Sequence, residues 1–195
     1  MIYKIILFGL LLCFYISYFT KQVLLKRQGI NTNRLAKGRK PKRTRLIEGC
    51  LLFTTYAAAV VQFLSIFFRQ HMGKIEFLPA IRIIGIIVVF CGVVFFLLAI
   101  VTMRDNWRAG VDKTQKTNIV SNGIYKYSRN PAFVGFDFLY IGTMLTFPNV
   151  VMVTFTIIAI VLLHMQILEE EKHLSTEFGQ NYVEYKIKTA RYILF

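Results

Sequence analysis

Residues 131–171 read PAFVGFDFLYIGTMLTFPNVVMVTFTIIAIVLLHMQILEEE, two apolar runs separated by the pair Pro148-Asn149. The first run covers residues 132–147 and is short, and the second covers residues 150–168. Proline cannot continue a helix and asparagine favours turns, so the pair predicts a tight turn between two helices. The stretch therefore predicts a helical hairpin embedded in a membrane.

Three more apolar runs precede the hairpin, at residues 2–19, 47–68 and 81–103. Basic residues rather than a small-residue cleavage site follow the first run, which favours a retained anchor over a signal peptide. The other two runs meet the requirement of about 20 residues for a spanning helix. The sequence thus predicts an all-α polytopic membrane protein of about five transmembrane helices, with a C-terminal helical hairpin and a cytoplasmic tail.

Composition and charge support a membrane protein. Of the 195 residues, 55% are hydrophobic, so lipid must form part of the solvent. The net charge of +14 raises the question of nucleic acid, but the basic residues lie between apolar runs, where membrane topology explains them. The basic residues concentrate in residues 21–45, in residues 104–129 and in the tail. Because cytoplasmic loops collect Lys and Arg, we expect these segments inside, the N-terminus outside, and a multi-pass protein of the cell membrane.

Cysteine and histidine give no sign of a metal site. Cys13, Cys50 and Cys91 lie inside apolar runs without a CxxC partner, and the three histidines are scattered. We therefore expect small buried hydrophobic thiols and no metal. Residues 29–44 form the one flexible-looking linker, and we expect its basic side chains to lie against anionic lipid headgroups.

Polar residues collect where the hairpin begins and ends. Arg129 precedes the first helix of the hairpin, and residues 169–171 are three glutamates after the second apolar run. Pro131 suits the first turn of a helix, and Asn130 is placed to cap it. Because the hairpin is short, the arginine and the glutamates should lie at one membrane face. Three glutamates at a helix C-terminus are unfavourable and call for partners or a cationic ligand, although a solvated acidic end is an alternative.

Two further polar residues lie within the hairpin helices. Asp137 is about two turns inside the first helix, where an acid is costly, so it is expected to face a pocket or pair with Arg104 or Arg129. His164 lies seven residues before Glu171, on the same helix face, and a polar core contact is expected for it.

The segment 106–195 resembles the isoprenylcysteine carboxyl methyltransferase and phospholipid methyltransferase superfamily of integral membrane enzymes. The matching stretches are Asn106-Trp107, NGIYKYSRNP at 122–131 and EEKHLSTEFGQNYVEY at 170–185. The superfamily shows an Arg-His-Pro, a helical hairpin, a Glu-Glu pair and then Phe-Gly-x-x-Tyr-x-x-Tyr. The main departure is Asn130 at the position of the usual histidine, since an amide can hydrogen-bond but cannot shuttle a proton near neutral pH.

The resemblance implies a methyltransferase that binds S-adenosylmethionine between the hairpin and the tail. It implies one membrane domain over residues 1–195, with N-terminal spans and the basic loop in residues 1–78 and the core with the cofactor site in residues 79–195. The implied catalytic residues are Arg129, Asn130 and Glu171. The implied cofactor-binding residues are Tyr125, Arg129, Asn130, Pro131, Glu170, Glu171, Tyr182 and Tyr185. The candidate substrate residues are Asn106, Trp107 and Asp137.

The acceptor is expected to be amphiphilic, a membrane lipid or a prenylated group that enters from the bilayer. A prenylcysteine carboxylate is favoured over a phosphatidylethanolamine amine, because an amine must lose a proton and Asn130 offers no base. Two other classes stay open at this point. One is an NADPH-dependent sterol-type reductase, and the other is a lipid-binding membrane protein without enzymatic activity. No Rossmann-type glycine-rich turn is present, so a cofactor would need the membrane-embedded site.

Overall fold

A computed structural model describes residues 1–32, 34–38, 40–108, 110 and 118–193. Its helices are α1 (Ile2–Arg27), α2 (Lys42–Phe68), α3 (Pro79–Met103), α4 (Pro131–Thr146), α5 (Val150–Phe178) and α6 (Gln180–Lys188). Apart from one isolated bridge between Lys74 and Asn149, the described residues contain no β structure. The predicted all-α fold is therefore confirmed.

Four helices, α1, α2, α3 and α5, are long and apolar enough to cross a membrane. The fifth apolar helix, α4, has 16 residues. At 1.5 Å per residue it is about 24 Å long, short of a hydrocarbon core of about 30 Å. Four full-length spans and one shorter helix thus account for the five apolar runs of the sequence.

Helices α3 and α4 pack with their backbones in contact at two pairs of glycines. A Cβ built on Gly92 would lie 2.8 Å from the carbonyl oxygen of Gly135, and one on Gly135 would lie 2.9 Å from that of Gly92. Gly85 and Gly142 repeat the arrangement, at 2.7 and 2.6 Å. Between apolar helices in lipid, small residues allow close van der Waals packing. These glycines therefore set how α4 sits against α3, and with it the position of Arg129 just before α4.

Aromatic side chains fill the core between α1, α3 and α4. The ring centroids of Phe14 and Phe96 are 4.3 Å apart, and Phe136 packs edge-on against Phe14 at 4.9 Å. A second core cluster joins α2, α4 and α5 around Ala58 and Tyr140. The hairpin is thus packed on both sides by the N-terminal spans.

The predicted turn of the hairpin is confirmed at one end of the bundle. The side chain of Asn149 accepts a hydrogen bond from the Met152 amide and so caps α5. Val150 N–H donates to Gly73 O at 2.9 Å, and Arg69 Nε donates to Pro148 O at 3.1 Å. The α2–α3 connection therefore lies beside the hairpin turn.

The segments that carry most of the basic charge meet at the opposite end. Thr44, at the start of α2, donates to Glu169 of α5 at 2.6 Å. Gly110, in the α3–α4 connection, donates to Glu170 at 3.2 Å. This agrees with the expected clustering of basic segments on one side, while the assignment of that side to the cytoplasm stays a prediction.

Three local expectations were wrong. The α1–α2 connection is not a free linker where it is described, because Glu48 accepts hydrogen bonds from Ala36 N–H at 2.8 Å and from Lys40 Nζ at 2.6 Å. Helix α5 does not end at the glutamates but continues to Phe178, so the helix dipole gives them no special cost. Two of the three thiols, Cys13 and Cys50, are exposed on the outside of the bundle instead of buried.

Candidate functional site

Arg129 and Glu171 form a buried ion pair at the end of the bundle where α4 begins. Arg129 Nη2 lies 2.9 Å from Glu171 Oε1, and the two side chains are 8% and 5% exposed. Arg191, beyond α6, contacts the other carboxylate oxygen, with its Nη2 at 3.0 Å from Oε2. The hydrogen bond from Arg191 to Glu171 raises the pKa of the Arg191 guanidinium. One carboxylate on α5 therefore binds two guanidinium groups from segments far apart in sequence.

Backbone groups of the tail complete this network. Arg129 Nη1 donates to the carbonyls of Lys186, at 3.1 Å, and Thr189, and the Arg129 amide donates to Ala190 O at 2.9 Å. Asn130 Nδ2 donates to Arg191 O at 3.1 Å. Because both side chains bind the tail, α6 is held across the end of the hairpin.

Asn130 occupies the N-cap position of α4, but the expectation that its side chain caps the helix was wrong. Its carboxamide points to the tail and to Glu171 Oε1, at 3.4 Å. The backbone N–H of Asn130 donates to Ser128 Oγ at 3.1 Å. Pro131 is the first helical residue of α4, as the sequence predicts.

The three consecutive glutamates of α5 point in three directions. Successive residues of an α-helix are about 100° apart around its axis, so three in a row point in different directions. Glu169 accepts from Thr44 and faces α2. Glu170 accepts from Gln166 Nε2 at 2.9 Å and from Gly110 N–H. Glu171 binds the two arginines. Each carboxylate thus has its own protein partners.

A cavity of about 130 Å³ lies beside Glu170, under α6. Its lining combines apolar walls with convergent polar groups, as is usual for small-molecule sites. The polar and aromatic residues around it are Asn106, Arg108, Asn118, Tyr125, Arg129, Glu170, His173, Tyr182 and Tyr185. Glu170 is half-buried and borders the cavity, whereas Glu171 is buried outside it. The two members of the Glu-Glu pair therefore have different surroundings.

Three tyrosines supply the aromatic wall of the cavity. Tyr182 and Tyr185 are three residues apart on α6 and so lie on the same helical face. Tyr185 donates to the carbonyl of Tyr125 at 2.7 Å, which ties α6 to the turn before α4. Burial raises the pKa of Tyr185 to about 12 and also raises the pKa of Tyr125 and of Tyr182. All three side chains are therefore neutral at physiological pH, with aromatic faces that attract cations.

Gly179 positions this tyrosine face. It joins α5 to α6 and has φ of +52°, in the left-handed region that favours glycine. The chain turns there so that α6 folds back over the end of the hairpin. The glycine of the Phe-Gly motif is therefore explained by the turn between α5 and α6.

The side chains of the three candidate substrate residues have different surroundings. Asn106 lines the cavity and accepts from Asn118 N–H at 3.2 Å. Trp107 is buried in the core, with its ring 5.7 Å from that of Tyr18. Asp137 is half-buried in α4, and its Oδ1 has no hydrogen-bond partner in the part of the chain that the structure describes. Of the two alternatives for Asp137, pairing with Arg104 or Arg129 is not found among the described residues, and a role facing a pocket stays a prediction.

The expected polar contact of His164 is confirmed. Its Nδ1 lies 2.6 Å from the hydroxyl of Tyr192, and the two rings stack with centroids 6.1 Å apart. Tyr192 follows Arg191, and His164 lies about two turns before Glu171 on α5, so this pair attaches the tail to α5 at a second point. The histidine is a docking contact of the tail.

Sequence reasoning missed several polar residues at this site, including Arg108 and Asn118 in the cavity lining. Arg191 lies beyond the recognised motif, and its charge alone did not distinguish it from a solvated residue. His173 was set aside as scattered, although it lies three residues after Glu170 and therefore on the same helix face. Glu48 and Lys40 form a buried ion pair beside Gly110, and a single acid within an apolar run was the available signal for it.

Comparison with known proteins places this geometry in a family. The model of the family described as phospholipid methyltransferase matches residues 80–181, more than half of the chain. The chain belongs to this family. The matched range contains α3, the hairpin, the Glu-Glu pair and the start of α6, so it covers most of the cavity lining.

The similar curated proteins share one name. The chain is 33% identical over 111 residues to a protein-S-isoprenylcysteine O-methyltransferase of Xenopus laevis, covering 55% of this chain and 38% of that protein. It is 24% identical over 185 residues to the Tribolium castaneum protein of that name, covering 93% of this chain and 62% of that protein. It is 35% identical over 82 residues to the Saccharomyces cerevisiae protein of that name, and the matched segment covers 40% of this chain and 34% of that protein. The chain therefore spans less than two thirds of the length of these relatives.

Proposed function

We propose that the chain is an S-adenosylmethionine-dependent methyltransferase of a membrane, acting on an amphiphilic acceptor. One observation carries the proposal: a half-buried carboxylate, Glu170, and three neutral tyrosines converge on one cavity at the end of the bundle. The relatives named as O-methyltransferases support the same reaction class.

The cavity suits this methyl donor chemically. S-adenosylmethionine, when bound, supplies an electrophilic methyl group on a cationic sulfonium. The carboxylate of Glu170 and the faces of Tyr125, Tyr182 and Tyr185 offer the negative charge and the π-systems that bind such a cation. Asn106 and Asn118 add amide groups that hydrogen-bond hydroxyl and amino groups.

Within the Glu-Glu pair, the proposal gives the two carboxylates different roles. Glu170 contacts the methyl donor, because it lines the cavity. Glu171 and Asn130 are positioning residues, because they hold the tail that carries the tyrosine wall. Arg129 also lines the cavity, so it serves both purposes. In-line methyl transfer needs little acid–base chemistry with a carboxylate nucleophile, so positioning and exclusion of water supply most of the rate.

A prenylcysteine carboxylate is the favoured acceptor. The name that the relatives share supports it, and an ionised carboxylate needs no base to act as the nucleophile. The lack of a base at Asn130 does not exclude an amine acceptor, because His173 lines the cavity and a histidine can act as a base. Phosphatidylethanolamine N-methylation is therefore the second candidate. We further propose that the cavity opens to the cytoplasm and that the acceptor enters from the bilayer.

Transfer of labelled methyl groups tests the proposal. Membranes that contain the full chain are incubated with methyl-labelled S-adenosylmethionine and either an S-farnesylcysteine derivative with a free carboxylate or phosphatidylethanolamine vesicles. Label in a base-labile ester of the first acceptor is expected. Binding of S-adenosylhomocysteine by the purified protein is measured in parallel with binding of NADPH. Tight binding of NADPH without binding of S-adenosylhomocysteine would favour a reductase and overturn the proposal.

The variant Glu170→Gln separates the roles of the two glutamates. It is expected to lower the affinity for S-adenosylmethionine by about tenfold or more, because the charge-assisted contact with the sulfonium is lost. Glu169→Gln is the matched control, since Glu169 lies on the same turn of α5 but faces Thr44. Equal affinity of the two variants would show that Glu170 is not a cofactor contact.

A further inference from the structure

An open groove runs along the outside of the bundle between α2 and α5. Its volume is about 890 Å³, and its walls are apolar, with Phe53 on α2 and Ile157 and Val161 on α5. The concavity arises on α2, where Gly49 and Cys50 are small residues between the larger Leu46 and Phe53. This groove is separate from the cavity at Glu170, with which it shares no lining residue.

Charge is confined to one end of the groove. Lys42 and Arg45, both exposed, are the charged side chains among the described residues that line it. Arg45 donates one bond, from Nη2 to Gly38 O at 3.3 Å, and an arginine has five N–H donors. The neighbouring Arg43 faces the other way, 4.0 Å from Glu169. A positive end and an apolar remainder complement a molecule with an anionic head and a hydrocarbon tail.

The dimensions match one leaflet of a bilayer. From Lys42 to Phe53 the groove follows α2 for about 16 Å at 1.5 Å per residue. Half of a hydrocarbon core of about 30 Å is about 15 Å. The basic end lies beside Glu169, hence at the end of the bundle that holds the candidate site. An occupant would therefore have its head at the membrane surface and its tail within the same leaflet.

The geometry points to a binding site for an anionic glycerophospholipid in this groove. Its phosphate is held by Lys42 and Arg45, and one acyl chain lies against Phe53, Ile157 and Val161. The site lies outside the proposed catalytic cavity and does not depend on the proposed function. Since α2 also carries Thr44 and Glu48, which bind Glu169 and the loop beside Gly110, an occupied groove would stabilise the helix that supports the site.

Native mass spectrometry of the purified full chain tests this site. Dioleoylphosphatidylglycerol and dioleoylphosphatidylcholine are titrated in detergent, and bound lipid is counted. We expect tighter binding of the anionic lipid, weakened about tenfold or more in Lys42→Ala/Arg45→Ala, since each nearby basic residue contributes on the order of 1 kcal/mol. The control Lys26→Ala/Arg27→Ala removes the same charge at the end of α1, near the same membrane face, and should retain binding.

A second pair of variants tests the apolar part. Cys50→Trp fills the groove without changing charge, and Cys13→Trp places the same side chain on another exposed position of the bundle. The first should weaken binding of the anionic lipid and the second should not. Equal losses in the two double-alanine variants, full binding by Cys50→Trp, or equal affinity for both lipids would each overturn the inference.

Discussion

Replacing Glu171 by glutamine should release the tail from the hairpin while leaving the cavity carboxylate in place. The side chains of Glu171 and Arg129 are 5% and 8% exposed, so the variant leaves a buried guanidinium without its counter-charge. Removing one partner of a buried ion pair typically costs about 3–5 kcal/mol. Since about 1.4 kcal/mol is a factor of ten, the undocked population of the tail should rise at least about a hundredfold.

Hydrogen exchange measures this directly. The Arg129 amide donates to Ala190 O, so its protection reports on docking, together with peptides that cover residues 180–193. Glu177→Gln is the matched control, because Glu177 is an exposed glutamate on the last turn of the same helix. We expect fast exchange in Glu171→Gln alone, with Glu170→Gln close to the parent chain. Equal protection in Glu171→Gln and Glu177→Gln would refute a docking role for Glu171.

Three further predictions concern the scaffold around the site. Gly135→Ala should destabilise the protein by about 1–3 kcal/mol, because the added methyl group would clash with the α3 backbone. Gly9→Ala is the control, since Gly9 has open space around it, and should be neutral or slightly stabilising. Thermal unfolding in detergent compares the two variants, and equal melting temperatures would contradict the packing account. Glu48→Gln should weaken S-adenosylhomocysteine binding several-fold by loosening the loop beside Gly110, while Glu76→Gln, exposed on a distant loop, should not; equal affinities would show that the loop does not support the cavity. Tyr185→Phe should lose the hydrogen bond that ties α6 to the turn before α4 and cost about 0.5–1.5 kcal/mol of docking, read as faster exchange in α6; unchanged exchange would mean that this bond does not hold the helix.

The hairpin could be predicted from the sequence because its signals are local. The Pro148-Asn149 pair, the flanking apolar runs and Pro131 each act within a few residues, and the structure has the turn, the cap and the helix start where they indicate. The tight α3–α4 contact was less accessible. Gly85 and Gly92 on one helix face Gly142 and Gly135 on the other, and that pairing is apparent only when both helices are in place.

The docking of the tail could not be predicted because it depends on residues far apart in sequence. Arg191 and Glu171 are 20 residues apart, and Arg129 is 42 residues before Glu171. A basic residue after an amphipathic helix has the same appearance in a sequence whether it is solvated or paired. The Glu48–Lys40 pair spans only eight residues, but Lys40 lies in a basic stretch whose residues look alike in the sequence whether they are solvated or paired.

The division of the Glu-Glu pair follows from helix geometry once the neighbours are known. A turn of about 100° per residue points the two adjacent carboxylates in different directions, which is why we propose a separate role for each of them. Which acid has which role depends on what packs against each side: α6 and Arg191 against Glu171, the open cavity against Glu170. Asn130 fits the same logic. Its amide bonds the tail and Glu171, which are contacts that require hydrogen-bonding capacity and no proton transfer, so the departure from histidine is compatible with an intact site.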